Sequence, residues 1–147
     1  MASTYLSLHY HIVFGTKNRS PLIKAEWLPR LHEYMGGTIR GLGGFPEGIG
    51  GVEDHVHLLV SLKATHSLAD VMRELKKSSS VWVHDTLGSK NFAWQEGYAA
   101  FTVSASALDS VQRYIANQEH HHRVKSFKEE LLEMLKKANV DYNPDYL

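Results

Sequence analysis

Residues Thr4 to Phe14 alternate apolar with polar side chains and are rich in β-formers, the period of a half-buried strand. Gly15 and Pro21 bracket a polar loop, after which Leu28, Leu31, Tyr34, Met35, Ile39 and Leu42 recur every three or four residues as the stripe of an amphipathic helix. That helix stops in Gly41, Gly43 and Gly44, and Gly36-Gly37 weaken its middle. Ile49 to Glu53 and Val56 to Leu62 predict two short strands joined tightly near Asp54. Ser67, with Asp70 three residues on, starts a second helix whose face runs Leu68, Val71, Met72, Leu75, Ser79 and Trp82 as far as Gly88. Tyr98 to Ser104 alternates again as a fourth strand.

A third helix opens at Ser106-Ala107-Leu108-Asp109, and its stripe of Leu108, Val111 and Ile115 reaches Gln118. Ser126-Phe127-Lys128-Glu129 forms a capping box for a last helix through Leu131, Leu132 and Leu135, and Asn143-Pro144 ends regular structure. The order is βαββαβ. It predicts an α+β, ferredoxin-like antiparallel sheet with helices on one face and an extra C-terminal helix. Residues 1–147 are expected to form one domain, with 126–147 as its C-terminal helix and tail.

Composition adds limits. A chain of 147 residues, 43% hydrophobic, can bury a substantial core. With no cysteine, a metal must be held by histidine, carboxylate, amide or water. No apolar run approaches a membrane span and no signal peptide opens the chain, so the expected location is the cytoplasm. Sixteen basic and sixteen acidic residues cancel, which argues against charge-driven, nonspecific nucleic-acid binding. Acids are concentrated after residue 128, leaving residues 1–128 at a net charge of +3. Lys17 and Arg19, Lys76 and Lys77, and Arg113 and Arg123 are candidates to meet phosphates, against the plain alternative of solvated surface. The glycines from Gly41 to Gly51 lack the Gly-Lys-Ser/Thr pattern of a phosphate loop, so no nucleotide cofactor is expected.

Candidate chemistry centres on Asp54-His55-Val56-His57-Leu58-Leu59-Val60. In a strand, His55 and His57 face one side and Val56 the other. Tyr114 and Gln118 lie one turn apart on a helix face. Two neutral imidazoles and an amide oxygen form a mixed, fairly hard set that suits Mn²⁺ or Mg²⁺ and leaves positions for water and a phosphate oxygen, although the imidazoles alone would also accept Zn²⁺, Ni²⁺ or Co²⁺. A phenol beside such an ion can become a nucleophile and form a covalent phosphotyrosine. His9-Tyr10-His11 is a rival pair with the same spacing, and spacing alone does not choose between them. His120-His121-His122 reads mainly as helix-end surface, with His121 near the site three residues after Gln118. Glu119 is an alternative ligand if the helix is rotated. Core packing is the reading for Phe92, Trp82 and Trp94, with base stacking as the alternative.

The set His55-Val56-His57, Tyr114 and Gln118 resembles the single-tyrosine HUH transposases of bacterial and archaeal insertion sequences, including the transposases associated with repetitive extragenic palindromes. Tyr10-His11-Ile12-Val13-Phe14 with Thr16-Lys17, Leu75-Lys76-Lys77-Ser78-Ser79, and Trp94-Gln95-Glu96-Gly97-Tyr98 resemble the same family, so the likeness spans nearly the whole domain. The resemblance implies an HUH endonuclease fold and a homodimer acting on single-stranded DNA at hairpin-bearing element ends. Tyr114 is then the nucleophile, and His55, His57 and Gln118 are the ligands of Mg²⁺ or Mn²⁺. Three alternatives stand beside it: a domesticated nickase of dispersed repeats, a non-catalytic hairpin-binding regulator, and a metal-binding ferredoxin-like protein unrelated to DNA.

Overall fold

The computed structural model describes residues 3–122 and 125–147. Strands β1 (His9–Gly15), β2 (Phe45–Val52), β3 (His55–Ser61) and β4 (Ala99–Val103) form one sheet in the order β2-β3-β1-β4, with every neighbouring pair antiparallel. Helices α1 (Leu28–Gly41) and α2 (Leu68–Thr86) make the two crossovers. This is the expected βαββαβ, split-βαβ arrangement.

The period of two divides the sheet into two chemistries. Ile12 and Phe14 of β1 and Val56, Leu58 and Val60 of β3 join Leu31, Met35 and Ile39 of α1 and Met72 and Leu75 of α2 in the main core. The intervening residues, His11 and Val13 of β1 and His55, His57 and Leu59 of β3, face the other side. The sheet is not bare there. Helices α3 (Leu108–Ala116), α4 (Gln118–His121) and α5 (Phe127–Lys137) follow β4. Phe127, Leu131 and Leu135 of α5 pack with Val13, while α3 lies against β2 and β3. The two crossover helices share one face, as the element order requires, and the segment after β4 covers the opposite face.

Three boundaries differ from the sequence pattern. Pairing in β1 begins only at His9, preceded by a single backbone bond from Leu62 N–H to the Leu8 carbonyl at 3.0 Å; Tyr5 and Leu6 are exposed. Strand β2 starts earlier, at Phe45, with a register shift between Pro46 and Gly48 that accommodates residues the pattern reads as loop. The helix expected to run through Gln118 breaks at Asn117, whose φ of −99° and ψ of 20° leave the helical region, so Gln118 opens α4.

Strand β2 also sets how closely α3 can approach. Gly50 pairs with His57, and a Cβ on Gly50 would overlap the carbonyl oxygen of Ile115, the residue after Tyr114. Only a glycine lets the tyrosine helix settle onto the sheet there. Gly37, in the middle of α1, has open space where its Cβ would be. In urea denaturation, Gly50→Ala is expected to lose about 1–3 kcal/mol or more through overpacking. Gly37→Ala is expected to gain about 0.5–1 kcal/mol.

Candidate metal and nucleophile site

His55 and His57 are fully buried on the face covered by α3, α4 and α5. Each imidazole has its Nδ1 engaged behind the site and its Nε2 directed into it. His55 Nδ1 lies 2.7 Å from the Asp54 carboxylate, whose backbone carbonyl accepts from the Thr16 N–H at 2.9 Å. The His55 ring stacks on Phe127 at 4.1 Å. His57 Nδ1 lies 2.8 Å from His11 Nε2. An imidazole that ligates through Nε2 must carry its proton on Nδ1, and both rings have a partner positioned to hold that proton.

The two His-x-His pairs stand differently in the structure. His11 shares a face with His57 and stands behind it as a hydrogen-bond partner. His9, one step further along β1, meets the Glu47 carboxylate at 2.9 Å instead.

The groups in front of the two Nε2 atoms come from the three later helices. Gln118 Oε1 is 3.0 Å from His55 Nε2, so the expected third ligand stands beside the pair. Glu130 of α5 was not anticipated. Its Oε1 is 2.9 Å from His57 Nε2, 3.6 Å from His55 Nε2 and 3.0 Å from His122 Nε2. Its Oε2 accepts from the Tyr114 hydroxyl and from Gln118 Nε2, the latter at 3.1 Å. The Tyr114 ring is 5.7 Å from that of His57. Tyr114, Gln118 and the histidine pair are thus brought together within one chain.

His122 was read as surface, yet it lies four residues after Gln118 and turns to the same side. Its Nε2 is 3.0 Å from Gln118 Oε1. His121, expected near the site, is 3.4 Å from Glu130 Oε2, while His120 and Glu119 point outward and are exposed. Glu130 did leave a sequence signal. It sits among Phe127, Leu131 and Leu135 on the buried stripe of α5, where a carboxylate interrupts an apolar pattern.

Nitrogen or oxygen atoms of His55, His57, His122 and Glu130 all lie within 4.8 Å of one another, so this buried group could hold a metal ion. Neighbouring donors around a six-coordinate ion with bonds of about 2.1 Å are separated by about 3.0 Å. Contacts of 2.9–3.0 Å between the facing Nε2 and oxygen atoms match that spacing. Burial shifts several imidazoles in and behind this group. It lowers His11 and His122 to about 4, and lowers His57 well below the ordinary imidazole value with help from its histidine neighbours. Neutral imidazoles are the form that binds metal. Burial, reinforced by Asp54 and Glu133, pushes the Glu130 carboxyl up to about 8.

The basic candidates are scattered. Lys17 and Arg19 line a groove of about 460 Å³ with Gln95, Phe127 and the C-terminal Tyr146, next to the site because Phe127 covers His55. Arg113 is exposed on α3. Lys77 is exposed on α2, across the sheet from the histidines. Lys76 donates to the carbonyls of Gln95 and Gly97 at 2.6 and 2.7 Å. Arg123 lies outside the described residues. Trp94 and Phe92 are core residues, Trp94 donating to Ser79 Oγ at 2.9 Å, and Trp82 stacks on Tyr34 at 4.8 Å.

Residues 4–118 match the family model described as "Transposase IS200 like". The chain belongs to the IS200-like transposase family. The match takes in His55, His57, Tyr114 and Gln118 and ends before His122 and Glu130. Among solved structures, the fold is similar to that of a protein of Deinococcus radiodurans R1 described as a transposase. The TM-score is 0.63 at 23% identity over 80% of this chain and 96% of that one. It is also similar to a REP-associated tyrosine transposase bound to a REP hairpin. There the TM-score is 0.55 at 16% identity over 78% of this chain and 70% of that one. No curated relative matches the sequence.

The protonation pattern predicts how the stability of this IS200-like transposase varies with pH when metal is removed by chelation. Below about 6.5, the ordinary imidazole value, the unfolded chain takes up protons that His11, His57 and His122 resist when folded. Their contribution is therefore lost as pH falls toward about 4. Glu130 acts in the opposite sense. Folded, it keeps a proton that the unfolded carboxyl gives up above about 4.5, so its contribution is lost as pH rises through about 8. Three imidazoles outweigh one carboxyl between these limits. The melting temperature of the chelated protein is expected to peak near pH 6.5 and fall on both sides. Glu130→Gln, which cannot ionise, should flatten the fall on the alkaline side.

Proposed function

We propose that the protein is a metal-dependent transposase that cleaves and rejoins single-stranded DNA at hairpin-bearing element ends through a 5′-phosphotyrosine at Tyr114. The observation that carries this reading is the convergence, within one chain, of the Tyr114 hydroxyl and the His57 Nε2 on the two oxygens of Glu130, with Gln118 and His55 alongside. Membership of a transposase family supports the substrate class, and the similar protein bound to a REP hairpin supports the hairpin.

His55, His57 and Gln118 would hold a divalent ion, Mg²⁺ or Mn²⁺ in this reading, and a bound ion would supply Lewis-acid stabilisation of the charge that develops on phosphate oxygen. The chain supplies the rest. Asp54 and His11 hold the Nδ1 protons of His55 and His57, keeping each Nε2 lone pair directed inward. Glu130 Oε2 is placed to take the phenolic proton as the Tyr114 oxygen attacks phosphorus. The bond from tyrosine oxygen to phosphorus forms, the bond from phosphorus to the 3′-oxygen breaks, and that oxygen takes up a proton as the 3′-hydroxyl. In the reverse step a 3′-hydroxyl attacks the phosphotyrosine, so strands are rejoined without a nucleotide cofactor.

Lys17, Arg19, Lys77, Arg113 and Arg123 are proposed to meet DNA phosphates. Lys76 acts by bracing the loop after α2 as well as by its charge. A homodimer would hold two such sites, one for each strand. Among the described residues no helix is long and apolar enough to cross a membrane, and the cytoplasm is the proposed location. Likeness to a REP-associated transposase also favours a second reading, a domesticated enzyme that nicks dispersed repeats by the same chemistry.

Incubation of the full chain with a 5′- and 3′-labelled single strand carrying a hairpin, in the presence of Mn²⁺, should give a covalent adduct on a denaturing gel. Tyr114→Phe should abolish it, a loss of at least about 10³-fold for removal of a nucleophile. An adduct of equal yield from the variant would sink the assignment. Tight hairpin binding with no adduct from the parent protein would favour the non-catalytic regulator.

A further inference from the structure

Among the described residues, the ion-pair partners of the Glu130 carboxylate are His55, His57, His121 and His122. The carboxylate is 2% exposed, and the described groups within ion-pair distance of it are imidazoles that can share an ion with it. A buried, ionised carboxylate is costly unless something positive is bound beside it. Glu130 Oε1 stands 2.9 Å from His57 Nε2 and 3.0 Å from His122 Nε2, each the separation of adjacent donors on one ion. His122 gains its place from the helix period, four residues after Gln118. Its ring also packs edge-on against that of His55 at 4.4 Å.

We infer that His122 and Glu130 are metal ligands alongside His55 and His57, and that this set of three imidazoles and a carboxylate selects a first-row transition ion, Mn²⁺, Co²⁺ or Zn²⁺, over Mg²⁺. The inference rests on the metal site of the proposed function and changes its donors. Imidazole nitrogen suits borderline ions, whereas Mg²⁺ takes oxygen ligands and dehydrates reluctantly. Gln118 keeps a lesser part. Its amide nitrogen donates to Glu130 Oε2 and so orients the carboxylate. Glu130 Oε1 serves the ion and Oε2 serves Tyr114, and one side chain couples the nucleophile to the metal. Both added ligands lie beyond residue 118, where the family match ends.

The test is titration calorimetry of the full, chelator-stripped protein with MnCl2 and, separately, with MgCl2, without DNA. Binding of Mn²⁺ at least tenfold tighter than Mg²⁺ is expected. Glu130→Gln and His122→Asn should each weaken Mn²⁺ binding by about 10–100-fold or more, and Gln118→Ala by less. Equal affinity for the two ions would overturn the inference, as would unchanged Mn²⁺ binding in folded Glu130→Gln and His122→Asn. If either variant fails to fold by circular dichroism, nitrogen couplings in the spin-echo spectrum of Mn²⁺ bound to the parent protein decide. Three coordinated imidazoles support the set, and two overturn it. Two imidazoles with a normal Tyr114 adduct would leave the proposed function standing. Three imidazoles with no adduct would leave this set standing and overturn the proposed reaction.

Discussion

The buried carboxylate of Glu130 is the contact on which the histidine face is organised. It stands between a strand and three helices: β3 presents His57, α3 presents Tyr114, α4 presents Gln118, and α5 carries the carboxylate itself. An unpaired carboxylate in such a place would be driven to stay protonated or to unfold its surroundings. Each hydrogen bond it accepts and each imidazole that faces it therefore fixes one of these elements against the others. The approach is possible because Gly50 leaves room for the backbone of α3 where any side chain would block it. A small residue on an edge strand and a carboxylate on the last helix jointly decide where the tyrosine sits.

The opposite face of the sheet does different work. Ile12, Phe14, Val56, Leu58 and Val60 hold the sheet onto α1 and α2, so the larger hydrophobic cluster lies on the side away from the chemistry, and the smaller one of Val13 with α5 lies on the histidine face. The sequence segments that flank the histidines belong largely to this support. Ser79 receives the Trp94 indole N–H, Lys76 donates to the Gln95 and Gly97 carbonyls, and Gln95 and Gly15 hydrogen-bond each other. These contacts brace the end of β1, and Gly15 is paired with His55. Residues that resemble family motifs can thus act on the site through the position of a strand.

Local periodicity made the element order, both crossover helices and the pairing of His55 with His57 on one face legible, because a period of two or of 3.6 depends on neighbours in sequence. Tyr114 and Gln118 were legible as a helix pair although Asn117 breaks the helix between them, since one turn brings them together in either case. Long-range partners were not. His11 looked like a competing ligand because alternation says which face it occupies and nothing about which residue stands opposite. His122 was hidden in a run of three histidines whose successive positions face different ways. Glu130 stood within a capping segment rich in acids, where only its place on the apolar stripe of α5 set it apart. The alternation of residues 4–7 lies outside the ladder that β1 forms from His9, and the glycines of β2 masked a strand whose purpose is close packing.

A site that assembles from β3, α3, α4 and α5 of one chain makes a strong demand on how two defective chains can complement each other. Tyr114→Phe retains the metal ligands, and His57→Ala retains the nucleophile. If the tyrosine serves the histidines of its own chain, a mixture of the two variants contains no complete site, whatever dimers it forms. Covalent capture of a labelled hairpin-bearing strand by the equimolar mixture, refolded together to allow exchange of subunits, measures this directly. The structure predicts no adduct above the level of either variant alone. Recovery of a substantial fraction of the parent's adduct, on the chain carrying Tyr114, would contradict it and place the tyrosine helix in the site of a second subunit.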